Sequence, residues 1–443
     1  MAAEIQSMRI ENTADRRLMA SAVRALAIRA LGPGIAFAMS VLIVRLLGAE
    51  GSGVFYLAST LVLAGAVAGR CGLDTTLLRF AGAAWGSGDP AGVMGLKRNA
   101  IRITTLVGAA MTLTIVTSAD WLSRAVFAEP ELGEVMKVAS FAIVPSALIN
   151  LQASLLKSIA RPGRAALVEG VAMPLLVTSL LALAMLFVSV DATVVAGCYL
   201  AGTILTALLA GRILAHCLPA AEAVHRLPLR GLMKSAVPLL WVDLMNFALV
   251  WALLLLIGVL ASSSEVGIYN AAQRLTMQVG LLVTLFGSVT APRFAALHAD
   301  KHLETIDRLA VRTTRYVSLL ASPFLVILLV WPEPVLALFG PEFRSAATPV
   351  RVLAMGQLVN ALSGPVGYLL VVTGHERDLR NCQIVTVCLV LALGTVLIGH
   401  HGAIGAAIAG SVALVFNNLA SLWLVHHRTG LRLHPGRLLK YAL

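Results

Sequence analysis

The chain has 443 residues, 58% of them hydrophobic and 13% charged, with a mean hydropathy of +0.87. Soluble domains carry roughly 25% charged residues, so this composition excludes a water-soluble globular protein and indicates an integral membrane protein with runs long enough to span a bilayer. The formal net charge of +12 does not indicate nucleic-acid binding, because the cations lie between apolar segments instead of along one face.

Residues 1–20 are polar and read as a cytoplasmic tail. Glu4, Glu11 and Asp15 stand where a secretory signal needs cations, and no apolar run begins before about residue 20. About twelve spans follow, near 22–47, 54–78, 100–122, 135–158, 165–189, 192–215, 233–260, 266–292, 314–338, 348–372, 379–399 and 402–425. Loops on one side carry Lys97, Arg98, Lys157, Arg161, Arg164, Arg212, Lys234, Arg308, Arg312, Arg377 and Arg380. The other side carries Glu50, Glu129, Glu131, Glu134, Asp191, Glu265, Glu333 and Glu342. This alternation predicts that the basic side, with both termini, is cytoplasmic.

Two stretches look like twins. Gly51 to Phe80 and Glu265 to Phe294 each open with Gly, an apolar residue or two and Tyr (Gly53–Tyr56, Gly267–Tyr269) and end on Arg-Phe-Ala, about 213 positions apart. Phe127 with its acidic neighbours matches Phe339 with Glu342, and Ile159-Ala160-Arg161-Pro162 stands where Val372-Thr373-Gly374-His375 stands. Four anchors in order at a near-constant offset suggest a duplicated half. The expected fold is therefore all-α and membrane-embedded: an N-lobe over 21–216, a cytoplasmic loop over 217–231, a C-lobe over 232–427 and a basic tail over 428–443. Six spans per half make the repeat parallel, with a cavity between the lobes.

Charges at membrane depth are costly and face a cavity or a partner. Arg29, on span one just before the Gly32-Pro33-Gly34 interruption, reads equally as a cavity cation or as a side chain snorkelling to the headgroups. Asp243, nine residues past Lys234 on span seven, is too short to snorkel and reads as a coupling or gate residue or as a structural acid satisfied by Arg29 or a nearby amide, standing opposite Arg29 if both point inward. Arg70 lies deep on span two with Asp74 at i+4, so it is either a substrate contact or half of an internal pair. Arg274, nine residues past Glu265 on span eight, reads as an anion contact or a snorkelling cation. Glu169 reads as an interfacial acid paired with a basic neighbour. The amides Asn150, Gln152, Asn246, Gln278, Gln357, Asn360, Asn417 and Asn418 read either as a polar path for a sugar or as interhelical hydrogen-bonding groups. The five cysteines have no disulfide or metal spacing, and no P-loop, nucleophile elbow or H-E-x-x-H is present. No loop is long enough for a soluble catalytic domain. Neither an enzyme, a cofactor nor a metal is expected.

Three motifs carry a family resemblance. Arg45-Leu46-Leu47-Gly48 with Glu50 and Gly53-Val54-Phe55 resembles an R-x-L-G…G-x-(F/Y) start. Val266-Gly267-Ile268-Tyr269-Asn270-Ala271-Ala272-Gln273-Arg274-Leu275 resembles V-G-x-Y-x-A-A-x-(R/K)-L, and Leu338-Phe339-Gly340-Pro341-Glu342-Phe343 resembles L-F-G-x-x-(F/Y). These are similar to the bacterial oligosaccharide flippases, or polysaccharide biosynthesis (export) proteins, of the multidrug/oligosaccharidyl-lipid/polysaccharide exporter superfamily. The resemblance implies two six-helix lobes in a V that work by alternating access in the bacterial inner membrane. It implies an undecaprenyl-diphosphate-linked oligosaccharide as substrate, for O-antigen, capsule or exopolysaccharide, with membrane lipids, a polymerase and export machinery as partners. It also implies a cationic lumen for the diphosphate. Arg274 falls on the family's basic position, while Arg29 and Arg70 match by span and character only. The alternative is a cation-coupled multidrug antiporter of the same superfamily, which the preponderance of deep arginines disfavours.

Overall fold

The computed structural model describes residues 2–218, 229–300 and 302–431, with side chains over 31–218, 231–300 and 302–431. The expected loop over 217–231 and tail over 428–443 fall largely outside these residues. Among the described residues every regular element is helical, the arrangement that satisfies backbone groups within the segment when no water is at hand. In chain order the helices used below are α1 (Ala2–Arg70), α2 (Leu73–Gly86), α3 (Pro90–Trp121), α4 (Glu131–Ser140) and α5 (Ile143–Ser158). Then come α6 (Pro162–Ala184) and α7 (Ala192–Cys217), α8 (Leu229–Leu260), α9 (Ser263–Ala299), α10 (Leu303–Val330), α11 (Ala347–Ser363), α12 (Val366–Val372) and α13 (Glu376–Thr429).

Two helices are too long for one crossing. The 54 residues of α13 would run about 80 Å against a hydrocarbon core of about 30 Å. Gly402 breaks it with φ 51° and ψ −130°, and Gly48 breaks α1 with φ 68° and ψ −170°. Eight helices of the described residues are long and apolar enough to cross, or ten when each of two bent pairs is one span. Dividing α1 and α13 at their kinks brings the ten to the expected twelve. The bent pairs are α4 with α5 and the segment ending at Ser363 with α12, each bent by 42°. Predicted span two needs correction: it is not continuous, since α1 stops at Arg70 and α2 restarts at Leu73.

The chain gathers into two compact units. The first comprises Met1–Leu46, Ala58–Ala125 and Pro130–Leu244; the second comprises Leu47–Leu57, Val126–Glu129 and Met245–Leu443. The first unit packs Leu73, Leu77, Leu96, Leu155, Val168 and Leu214 into one core, joined by Leu232 and Ala236 from the start of α8. Within it, α1 meets α6 backbone to backbone: a Cβ on Gly32 would lie 2.8 Å from the Gly170 carbonyl oxygen, so the Gly-Pro-Gly interruption is a site of close packing. The second unit buries Tyr269, Phe294, Phe339 and Phe343. There the two glycines that open the twin stretches meet, a Cβ on Gly53 lying 3.1 Å from the Gly267 nitrogen and overlapping the Ser263 carbonyl.

At the fourth repeat anchor each unit has a similar helix end, one residue out of the register that the sequence pairing gives. Arg161 N–H donates to the Leu156 carbonyl at 2.9 Å and Ala160 N–H to Lys157 at 3.2 Å. His375 N–H donates to Leu370 at 2.8 Å and Gly374 N–H to Val371 at 3.2 Å. Ala160 and Gly374 both take positive φ, 57° and 80°. These are two copies of one Schellman-type helix end.

Candidate functional site: an acidic cluster and a ring-held arginine

In the first unit, three deep charges gather where span two breaks. Cys71 and Gly72 both adopt positive φ (50° and 70°), which ends α1 and restarts the helix at Leu73. A Cβ on Gly72 would overlap the Ala236 carbonyl and the Leu240 nitrogen of α8, so this position needs glycine both for its backbone angle and for the close approach. The break places Arg70 in the last turn of α1 and Asp74 in the first turn of α2, where each charge opposes the dipole end beside it. Arg70 Nη1 donates to Asp74 Oδ2 at 2.7 Å, the side chains being only 14% and 13% exposed.

Asp243, on α8, lies within electrostatic reach of both Asp74 and Arg70. α8 is held nearby by Arg79 Nη2, which donates to Ser235 Oγ at 3.1 Å. The cluster therefore holds two carboxylates and one guanidinium. Asp243 Oδ2, Asp74 Oδ1 and Arg70 Nε are buried with no hydrogen-bond partner among the described residues. A buried carboxylate without its own counter-charge is balanced by taking up a proton or a cation. The side chain of Arg29 lies outside the described residues, so the expected Arg29–Asp243 opposition does too.

In the second unit, Arg274 sits about 13 Å along α9 from Glu265 at 1.5 Å per residue. The outer end of α9 is anchored at both partners: Ser262 caps it, accepting from Glu265 N–H at 3.4 Å, and Glu265 Oε2 accepts from Ala403 N–H at 2.6 Å, capping the segment after the Gly402 kink. Further in, Gln273 Nε2 donates to the Val250 carbonyl of α8 at 2.8 Å. That bond brings Trp251 alongside. The Arg274 guanidinium carbon lies 5.5 Å from the Tyr56 ring centre and 5.7 Å from that of Trp251. Each such contact contributes about 0.5–2 kcal/mol, more where water is excluded. Arg274 Nε is buried and unpartnered, and no carboxylate pairs with Arg274 among the described residues. Ring faces hold the cation in place without neutralising it.

Two residues beside Arg274 escape sequence reading. Trp251 carries no motif. Asn270, one turn earlier on α9, is fully buried, and neither amide atom has a hydrogen-bond partner among the described residues. Tyr56 marks the repeat but gives no sequence sign of its partner. Several of the amides close on their own helix: Asn150 donates to Ser146, Gln278 to Arg274 and Asn418 to Leu414. Asn360 donates to Gln357 at 2.9 Å. Glu169 is paired with Lys157 at 2.6 Å, as the sequence suggests.

A family model described as polysaccharide biosynthesis protein matches residues 42–348. The chain belongs to that family. A curated relative, the probable flippase AglR of Haloferax volcanii, is 27% identical over 197 residues, 41% of this chain and 39% of its own length. The match thus spans about two-fifths of that relative. Among solved structures, the lipid II flippase MurJ in an inward closed conformation has a TM-score of 0.73 at 11% identity, over 90% of this chain and 87% of MurJ. An inward-facing multidrug resistance MATE family transporter of the MOP superfamily has a TM-score of 0.69 at 16% identity, over 94% and 96%. At these identities the structures establish the fold. The family member described here is a multi-pass membrane protein with the helical fold of these transporters, as the sequence predicts.

Proposed function

We propose that the protein is a flippase that moves an oligosaccharide, linked through a diphosphate to an undecaprenyl carrier, from the cytoplasmic to the periplasmic leaflet of a bacterial inner membrane by alternating access. It is a transporter and not an enzyme. The observation that carries the proposal is Arg274: a cation at membrane depth, held between Tyr56 and Trp251 and paired with no acid among the described residues. A diphosphate brought into a low-dielectric site needs such a charge, and a guanidinium fork suits its oxygens. The family and the flippase named among its relatives support the same reading. Arg29 is proposed as a second cation facing the substrate. Arg70, being bound to Asp74, is assigned to the balance of charge around Asp243 instead, and Asp243 to coupling or gating. We further propose a cytoplasmic location for the basic loops and both termini, and lobes over 21–216 and 232–427. Polymerase and export machinery would take the product.

The test is surface glycan in a deletion strain complemented with wild type, Arg274→Ala or Asp243→Asn, with membrane levels of each protein equalised. Loss of surface polysaccharide with lipid-linked precursor accumulating inside is the expected result for the deletion and for both variants. Unchanged polysaccharide in the deletion strain, with altered tolerance to cationic drugs, would overturn the proposal in favour of an antiporter.

A further inference from the structure

The first unit has a basic cleft that shares no residue with the Arg70, Asp74 and Asp243 cluster. The beginning of α6 and the end of α7 enclose a cleft of about 410 Å³ lined by Arg164, Leu167, Arg212, Ile213 and His216. No carboxylate lines it among the described residues. Glu169, the acid nearest in sequence on α6, is taken up by Lys157 at 2.6 Å. Arg164 Nη1 reaches Cys217 Sγ at 2.7 Å, and the His216 ring is held by Nδ1 against the Arg212 carbonyl at 2.8 Å. The cleft thus presents two guanidinium groups and an imidazole beside Leu167 and Ile213.

Its surroundings continue as an apolar surface towards the middle of both helices. On α7, Leu208, Arg212 and His216 share a face at four-residue spacing, and Leu208 is 60% exposed. On α6, Leu167 and Leu175 are exposed along the same helix, past the π turn at Leu167–Ala172. An exposed leucine surface running away from a pair of arginines fits a ligand with a phosphate at one end and acyl chains at the other. Inorganic phosphate would make no use of those leucines.

We propose that this cleft binds the phosphate headgroup of an anionic phospholipid, of the phosphatidylglycerol class, with the acyl chains lying along Leu208 and Leu175. In the orientation proposed above, on which the choice of leaflet rests, the lipid belongs to the cytoplasmic leaflet. Basic pockets between spans at that surface are the places where acidic headgroups bind.

The experiment uses the full-length protein in nanodiscs of phosphatidylcholine containing phosphatidylglycerol, with retained lipid counted by native mass spectrometry. Wild type is expected to retain phosphatidylglycerol with at least about tenfold preference over phosphatidylcholine, and Arg164→Gln/Arg212→Gln to lose most of that preference. Ile213→Trp, which keeps both arginines and fills the cleft, is expected to lose the lipid as well. If the double variant fails to fold, the filled-cleft variant decides alone. Undiminished retention in either folded variant would overturn the proposal. So would displacement of the lipid by millimolar inorganic phosphate, which would mark a soluble-anion site. Nanodisc binding does not depend on leaflet or on transport, so a reversed topology or a failed flippase assay leaves this result intact.

Discussion

Among the described residues Arg274 is a cation whose charge is met by ring faces and not by a carboxylate, and this difference sets what its substitution will do. Arg274→Ala removes the charge and should reduce glycan export at least about tenfold, the effect of losing roughly 1.4 kcal/mol of substrate stabilisation. Arg274→Lys keeps the charge but loses the planar fork, so export is expected to fall between wild type and alanine, as measured by surface polysaccharide at equal protein level. Asp243 predicts a different signature. It adds a carboxylate to a pair that is already balanced, so Asp243→Asn should leave thermal stability in detergent unchanged or higher while export stops. Arg70→Gln should lower stability by about 1–3 kcal/mol, because Asp74 then loses its charged partner, and Arg70→Gln/Asp74→Asn should recover part of it. A fall in stability with Asp243→Asn would mark that residue as structural. The candidate charges are legible in the sequence because charges at membrane depth are rare. The Arg70–Asp74 pair is legible too, from its i+4 spacing, but the ring partners of Arg274 are not: nothing in the residues around Tyr56 or Trp251 announces a guanidinium brought from elsewhere in the chain.

At the scale of elements, hydropathy and length reveal the spans, and the alternation of loop charge orders them. The same signals miss the break in span two, because a positive φ at Cys71 and Gly72 leaves no trace in hydropathy. The break matters, since it turns one long helix into two ends whose dipoles hold Arg70 and Asp74. Gly72→Ala should be severely destabilising: it forces a side chain into a left-handed backbone, at about 1–2 kcal/mol, and adds overlap with Ala236 and Leu240 of α8. Gly86→Ala, in a helix with nothing within 4 Å, is the control and should be neutral or stabilising by about 0.5–1 kcal/mol. Comparing melting temperatures of the two variants checks the claim that Gly72 is a packed break and not a flexible point. Gly48 and Gly402 also take positive φ but with extended ψ, −170° and −130°, and dividing α1 and α13 there brings the ten candidate spans to the expected twelve.

Across the molecule, two of the four short anchors fall at specific backbone features. Gly53 and Gly267 pack together within the second unit, and Ala160 and Gly374 end their helices with the same pair of hydrogen bonds. The copies have also diverged: both bent spans turn by 42°, but at Phe141-Ala142 in one and Gly364-Pro365 in the other. Orientation is tested by labelling. In a cysteine-free background, a cysteine at Glu131 should react with an impermeant reagent in intact cells, and one at Arg98 only after permeabilisation; the reverse pattern would contradict the proposed topology. The central claim is that Arg274 receives the diphosphate of a lipid-linked sugar as it crosses. Translocation of undecaprenyl-diphosphate-linked oligosaccharide in proteoliposomes tests it most directly. Wild type should move the lipid across the bilayer, and Arg274→Ala, reconstituted at equal density, should do so at least about tenfold more slowly. Equal rates for the two proteins, or no movement by wild type, would contradict it.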